Sequence, residues 1–187
     1  MRIIAGEFKG RQINAVKADS TRPTTDKVKE NIFNMMGQFF DGGRALDLFA
    51  GSGNLGIEAL SRGIEHAVFI DMNFNAIKTI KENIASLKLQ ERTEVYRNDA
   101  FKALNVLGKK GSKFDLIFID PPYGRICITE LLSIILIQGL LNDGGLILCE
   151  NGEGMHLGVE YDVSQLKIYR HGIYGTTEIM ILEKVEV

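Results

Sequence analysis

Residues 45–56 read ALDLFAGSGNLG. A short apolar run carrying one acid, Asp47, gives way to a turn with glycines at positions 51, 53 and 56. Glycine permits positive φ and lets a ligand approach the main chain closely. A helix that follows such a turn offers unpaired amides in its first turn. The stretch therefore reads as strand, ligand-binding turn and helix, the helix reaching to about Arg62. A G-x-G-x-x-G pattern alone is weak evidence, so its meaning depends on what surrounds it.

Downstream, the same rhythm repeats. AVFID (67–71) predicts a second strand, and a helix over 73–88 follows, with Asn73 as its cap and Ile77, Ile80, Ile84 and Leu87 on one face. TEVYRN (93–98), a short helix over 99–107, FDLIFID (114–120), a helix over 126–140 and GLILCE (145–150) continue the pattern. The strands are near-continuous hydrophobic runs, as expected of parallel strands covered on both faces. Strands alternating with helices predict a mostly parallel, doubly wound α/β sheet. The ending differs: QLKIYRHG (165–172) and TEIMILEKV (177–185) are β-rich runs with no helix between them. They predict an antiparallel hairpin at the sheet edge. A Rossmann-like sheet with that ending is the plan of class I S-adenosylmethionine-dependent methyltransferases.

Upstream, Gly6 and Gly10 punctuate two short β-like runs, roughly 2–7 and 10–16, which predict a small hairpin outside the main fold. Thr24 or Thr25 then caps a helix after Pro23, with Val28, Ile32, Met35 and Phe39 as its apolar stripe and Gly37 ending or loosening it. The 187 residues read as a single domain, a basic hairpin extension over 1–22 and a Rossmann-like catalytic core over 23–187.

Hydrophobic content of 45% and charged content of 25% are those of a globular protein. The longest apolar run, LLSIILIQGLL (131–141), is about half the span a membrane helix requires. The N-terminus has no hydrophobic stretch of signal-peptide length, so a cytoplasmic location is expected. Cys127 and Cys149 form neither a disulfide framework nor a zinc spacing and are expected to be buried free thiols. His66, His156 and His171 are scattered, without metal-ligand spacing, and no metal site is expected. Net charge is −2, but residues 1–30 carry seven basic and four acidic side chains, a net of +3, leaving 15 basic and 20 acidic elsewhere, a net of −5. A cationic end on an anionic body steers a polyanion to one face.

The acids sort the ligands. Asp71 ends the second strand, 20 residues after Gly51, where a carboxylate accepts bonds from ribose hydroxyls. Asp99 follows the third strand, placed for an adenine amine, with the Ala100 amide facing a ring nitrogen. Asp47, Asp71 and Asp99 converge on one sheet edge, with Phe49 and Met72 beside them. A nicotinamide dinucleotide shares the first features. Asp99, Asp47 and the terminal hairpin favour S-adenosylmethionine.

The fourth strand ends in Asp120-Pro121-Pro122-Tyr123 at the same edge. The prolines fix φ and remove amide hydrogens. Asp120 and the Pro121 carbonyl can then accept both hydrogens of one exocyclic NH2, which turns the nitrogen lone pair toward an electrophilic methyl. Tyr123 offers a stacking face for a splayed base. Glu150 and Asn151 end the fifth strand, either lining the substrate mouth or simply terminating it.

Across its length the chain resembles the RsmD family of bacterial 16S ribosomal RNA guanine-N2 methyltransferases. The resemblance rests on RIIAGEFKGR (2–11), TRPTTDKVKENIFN (21–34), LDLFAGSGNLGIEALSRG (46–63), FDLIFIDPPY (114–123) and YGTTEIMILEK (174–184). It implies S-adenosylmethionine as cofactor, one guanine of 16S ribosomal RNA within an assembled or assembling small subunit as substrate, and Arg2, Lys9, Arg11 and Arg22 as phosphate contacts. It also implies Gly51, Gly53 and Gly56 in the cofactor loop and Asp120 to Tyr123 as the amine site. Asp71 stands where glutamate is common in the family, and Ala15-Val16 replaces a proline-containing turn. The competing expectations are an adenine-N6 methyltransferase acting on DNA or RNA and a non-catalytic Rossmann-like nucleotide-binding module.

Overall fold

The computed structural model describes residues 1–17, 24–122, 126–151 and 163–186. Its elements run α1 (Asp26–Met36), β1 (Arg44–Asp47), α2 (Asn54–Ser61), β2 (His66–Asp71), α3 (Phe74–Leu87), β3 (Thr93–Arg97), α4 (Ala100–Lys109), β4 (Phe114–Ile119), α5 (Ile128–Ile137), β5 (Leu141–Asn151), β6 (Leu166–Tyr174) and β7 (Thr177–Lys184). The strands form one sheet in the order β3-β2-β1-β4-β5-β7-β6. β1 to β5 are parallel, and β7 enters antiparallel between β5 and β6. The predicted fold class is the one observed.

Strand alternation divides the core into two layers. Ala45, Ala67, Phe69, Leu116, Phe118 and Leu148 pack with α1, α2 and α3. Leu46, Leu48, Val68, Ile70, Ile117, Ile119 and Ile147 pack with α4 and α5. Both faces of the central strands β1, β2 and β4 are covered, which is why these strands show no polar face in the sequence, whereas edge strand β3 keeps exposed Tyr96 and Arg97. Asn73 caps α3 by accepting from the Asn75 and Ala76 amides, and Thr25 caps α1 by accepting from Val28.

Four details differ from the sequence reading. The apolar stripe of α1 is displaced: Lys29, Ile32, Phe33 and Met36 are buried, whereas Phe39 is 63% exposed. Positions 29, 32, 33 and 36 form a true helical face, but a lysine on it hides it from a hydrophobicity pattern. The N-terminal hairpin is reduced to a single Arg2–Gln12 bridge and is not outside the fold, since Ile3 and Ile13 sit in the core. Strand β5 starts at Leu141 rather than at Gly145, because a bulge at positive-φ Gly144 lets Leu141 pair with Phe114. Cys149 is buried, its thiol pushed up to about 12 by desolvation, but Cys127 is exposed.

The hairpin lies along α2 and is held by a buried charge network. Glu58 accepts from the Ile4 amide at 2.9 Å and the Ala5 amide at 3.1 Å. The same carboxylate pairs with Lys29 at 3.0 Å and Arg62 at 2.8 Å, all three side chains almost wholly buried. Lys29 Nζ also donates to the Arg2 carbonyl at 2.6 Å and to Asn54 Oδ1 at 2.8 Å. One ammonium thus joins the hairpin, α1 and the first residue of α2. Burial pulls its pKa down, and the Glu58 charge opposes that shift.

Candidate functional site

In this sheet the chain leaves β1 toward β2 and β3, then crosses back to β4 on the other side of β1. Ligands of open α/β sheets bind at the carboxyl ends of the strands flanking such a switch point. Here those ends carry the glycine turn after β1 and Asp120 after β4.

The turn is fixed from several directions. Gly51 and Gly53 have φ of 56° and 82°, angles that side chains resist. The Gly51 amide donates to Asp71 Oδ2 at 2.8 Å, and the Asn73 amide to Asp71 Oδ1 at 2.8 Å. Asp71 therefore anchors the loop while sitting at the end of β2. Asn83 of α3 holds the Ser52 carbonyl at 2.9 Å. A Cβ at Gly56 would lie 2.4 Å from the Phe69 ring, so only glycine lets α2 pack this closely on β2. A Cβ at Gly51 would meet no protein atom within 4 Å. The loop is thus packed beneath Gly53 and Gly56 and open above Gly51, a cradle of the kind a ligand fills.

Asp47 is buried and accepts from the Gly56 amide at 3.0 Å, binding β1 to the first turn of α2. Desolvation, reinforced by the charge of Asp71 and opposed by the Gly56 hydrogen bond, raises its pKa from 3.8 to about 7. A carboxyl whose folded pKa is raised stabilises the fold below its unfolded pKa. That contribution is lost as pH rises through the folded value. The pH window is therefore 4 to 7, and the full span corresponds to about 4 kcal/mol. Urea unfolding of the cofactor-free protein is expected to show a steeper loss of stability over this window than the Asp47→Asn variant. Parallel pH curves for the two proteins would contradict a buried, protonatable Asp47.

Asp99 caps α4 by accepting from the Lys102 amide at 3.1 Å, and Ala100 begins that helix in a buried position. The β2–β3 register, Asp71 opposite Arg97, brings Asp99 to the same edge as Asp71. Met72 is 63% exposed beside Asp71, and Phe49 is partly buried against the α4–α5 side of the core. Pro121 is buried and Pro122 exposed. Tyr123 lies outside the described residues, as do Arg22 and His156.

Asp120 stands beside two further acids. Register pairs Ile119 with Cys149, so Asp120 neighbours Glu150, and Asp47 pairs with Phe118. Alternation places Asp47, Asp120 and Glu150 on the Phe118 and Leu148 side of the sheet, toward the start of α1. There the Thr24 side chain lies near enough to the Glu150 carboxyl to favour its charged form. Burial, then the charges of Glu150 and Asp47, raise the Asp120 pKa well above the ordinary carboxylate range. Burial also raises Glu150, against the influence of Thr24. The sequence marked Glu150 only as an undecided strand end. Of the two threonines offered as the α1 cap, Thr25 takes that place, and no sequence pattern signals that Thr24 lies near Glu150.

Arg2, Lys9 and Arg11 are all exposed on the hairpin. Arg2 pairs with Asp26 at 2.7 Å and Arg11 donates to the Ser86 carbonyl at 3.0 Å. Lys29, counted above with the cationic end, is internal and adds nothing to that surface. His66 bonds Glu94 at 2.9 Å and His171 bonds Glu178 at 2.6 Å.

The family model described as Conserved hypothetical protein 95 matches residues 1–183. Ribosomal RNA small subunit methyltransferase D of Escherichia coli (strain K12) is 36% identical over 151 residues, covering 81% of this chain and 74% of that protein. The chain belongs to the RsmD family. Among other RsmD-family relatives, the YlbH protein of Bacillus subtilis (strain 168) is 50% identical over 184 residues, covering 98% of this chain and 99% of that one. The solved structure of the yhhF protein of Escherichia coli superposes with a TM-score of 0.85 at 29% identity, covering 100% of this chain and 99% of that one. The hairpin, glycine turn and Asp120 all fall within the matched span.

Proposed function

We propose that this enzyme methylates the exocyclic N2 amine of a guanine in 16S ribosomal RNA, within an assembled or assembling small subunit in the cytoplasm. The broader activity, methylation of ribosomal RNA with S-adenosylmethionine, is that of its family. The observation that carries the finer reading is Asp120, at the switch point, followed by buried Pro121.

The cradle at Gly51 and the acids at the ends of β2 and β3 fit a nucleoside carrying an amino-acid arm. Gly51, Gly53 and Gly56 would shape the loop, Asp71 hold the ribose, Asp99 and Ala100 the adenine, with Phe49 and Met72 as apolar walls. S-adenosylmethionine supplies an electrophilic methyl on a sulfonium. Asp120 and the Pro121 carbonyl accept the two amine hydrogens, directing the nitrogen lone pair at that methyl. Transfer would form an N–C bond at the cost of the S–C bond, the bonding pair staying on sulfur. The nitrogen sheds one proton, and Asp120, made basic by burial and its acidic neighbours, is placed to take it. Tyr123 would stack on the base. Arg2, Lys9, Arg11 and Arg22 would contact phosphates, fixing register without reading sequence.

The test is labelled-methyl transfer from S-adenosylmethionine to small subunits lacking their native methylations, followed by nucleoside analysis. N2-methylguanosine is expected. N6-methyladenosine would overturn the base assignment, and an absence of transfer despite cofactor binding would overturn catalysis.

A further inference from the structure

Glu150 is 6% exposed, and its Oε2 has no hydrogen-bond partner among the described residues. A buried carboxylate oxygen without a donor is costly, and native structures rarely keep one without reason. Its position suggests the reason. Adjacent parallel strands lie about 4.8 Å apart, and register sets Glu150 on β5 beside Asp120 after β4, on the same face. Thr24, just before α1, lies near this carboxyl and favours its charged form. The two carboxyls are close enough for the Glu150 charge to act on Asp120.

We propose that Glu150 selects the base by accepting the guanine N1–H while Asp120 and the Pro121 carbonyl hold the N2 amine. This rests on the guanine reading above and assigns its specificity. The chemistry discriminates because of what adjoins each amine. In guanine the N2 amine has a donor beside it, N1–H. In adenine the N6 amine has N1, an acceptor, beside it, and in cytosine the N4 amine has the acceptor N3. An acceptor lone pair directed at a carboxylate is repelled, and the buried oxygen stays unsatisfied. Guanine alone offers adjacent donors to two adjacent carboxylates. Selection by leaving a buried group unpaired with the wrong ligand is stronger than selection by shape.

The test uses small subunits reconstituted with RNA carrying guanine or 2-aminopurine at the target position. 2-Aminopurine keeps the N2 amine but has an acceptor at N1. Wild-type enzyme is expected to prefer guanine by about tenfold to a hundredfold in kcat/KM, the value of one hydrogen bond to a charged group. In Glu150→Gln, whose amide can still face Thr24 and can donate to N1, the preference is expected to collapse to within a few-fold. Equal use of both bases by the wild-type enzyme would overturn the assignment whether or not the variant folds. An unchanged preference in a folded Glu150→Gln would overturn it too. Both outcomes leave N2-methylguanosine as the product and the guanine reading intact, whereas N6-methyladenosine would remove that reading and the assignment together.

Discussion

Asp120→Ala is expected to bind S-adenosylhomocysteine nearly as tightly as the parent and to lose methyl transfer by about 10³-fold or more. The two effects separate because Asp120 lies across the switch point from the glycine cradle. The main-chain hydrogen bonds of that cradle run to Asp71, Asp47, Ile70 and Asn83 and, within the turn, to Ala50; none of these reaches Asp120. On the proposed mechanism, removing the carboxylate takes away the acceptor that would orient the amine and the group that would take its proton. Both matter most in the transition state, so the loss should fall on kcat more than on KM. Asp120→Asn should be little better, since an amide accepts a hydrogen bond but not the proton. Calorimetry with S-adenosylhomocysteine and single-turnover transfer measure the two quantities on the same preparation. Turnover within tenfold of the parent would remove Asp120 from the chemistry.

Glu58→Ala is expected to lower stability by about 3–5 kcal/mol, the cost of leaving buried charges without their partner. Lys29 and Arg62 would face each other across the vacated space, and the Ile4 and Ala5 amides would lose their acceptor. For a domain of this size, the melting temperature should fall by about 6–20 °C. Lys29→Met should cost less, because Arg62 still compensates Glu58. Hydrogen exchange adds a local readout: the amides of Ile4 and Ala5 should lose protection first as the hairpin detaches from α2. A melting temperature unchanged by Glu58→Ala would show that the network holds nothing together.

The same network carries a lesson about reading sequence. Lys29 was counted with the cationic surface because lysine is rarely buried. Glu58, 29 positions along the chain, supplies the counter-charge that makes its burial tolerable, with the Arg2 carbonyl and Asn54 taking its other hydrogens. Its presence then shifts the apparent stripe of α1 by one residue, from Val28, Ile32 and Met35 to Lys29, Ile32, Phe33 and Met36. Strand β5 was shortened for a comparable reason. Asn142, Asp143 and Gly144 look like a turn, and pairing through a bulge depends on β4 lying alongside.

Much else was legible. Unbroken apolar runs separated by helical periods specify a parallel sheet covered on both faces. Asn73, Asp99 and Thr25 announce helix starts through local side-chain chemistry. The glycine turn and the acids Asp71, Asp99 and Asp120 could be placed on one edge because period-two strands and a doubly wound order leave little freedom. These are short-range rules, and the chain obeys them with its own neighbours. Glu150 was beyond them. In the sequence it is one acid at the end of a strand. Its burial, its nearness to Thr24 more than a hundred residues earlier and its place beside Asp120 exist only once β5 and β4 pair and α1 closes over them. Local propensity and periodicity were enough for the sheet and for the edge on which the glycine turn and the acids meet. Tertiary structure alone decided which charges went inside, because a buried charge is stable only beside a partner that the fold supplies.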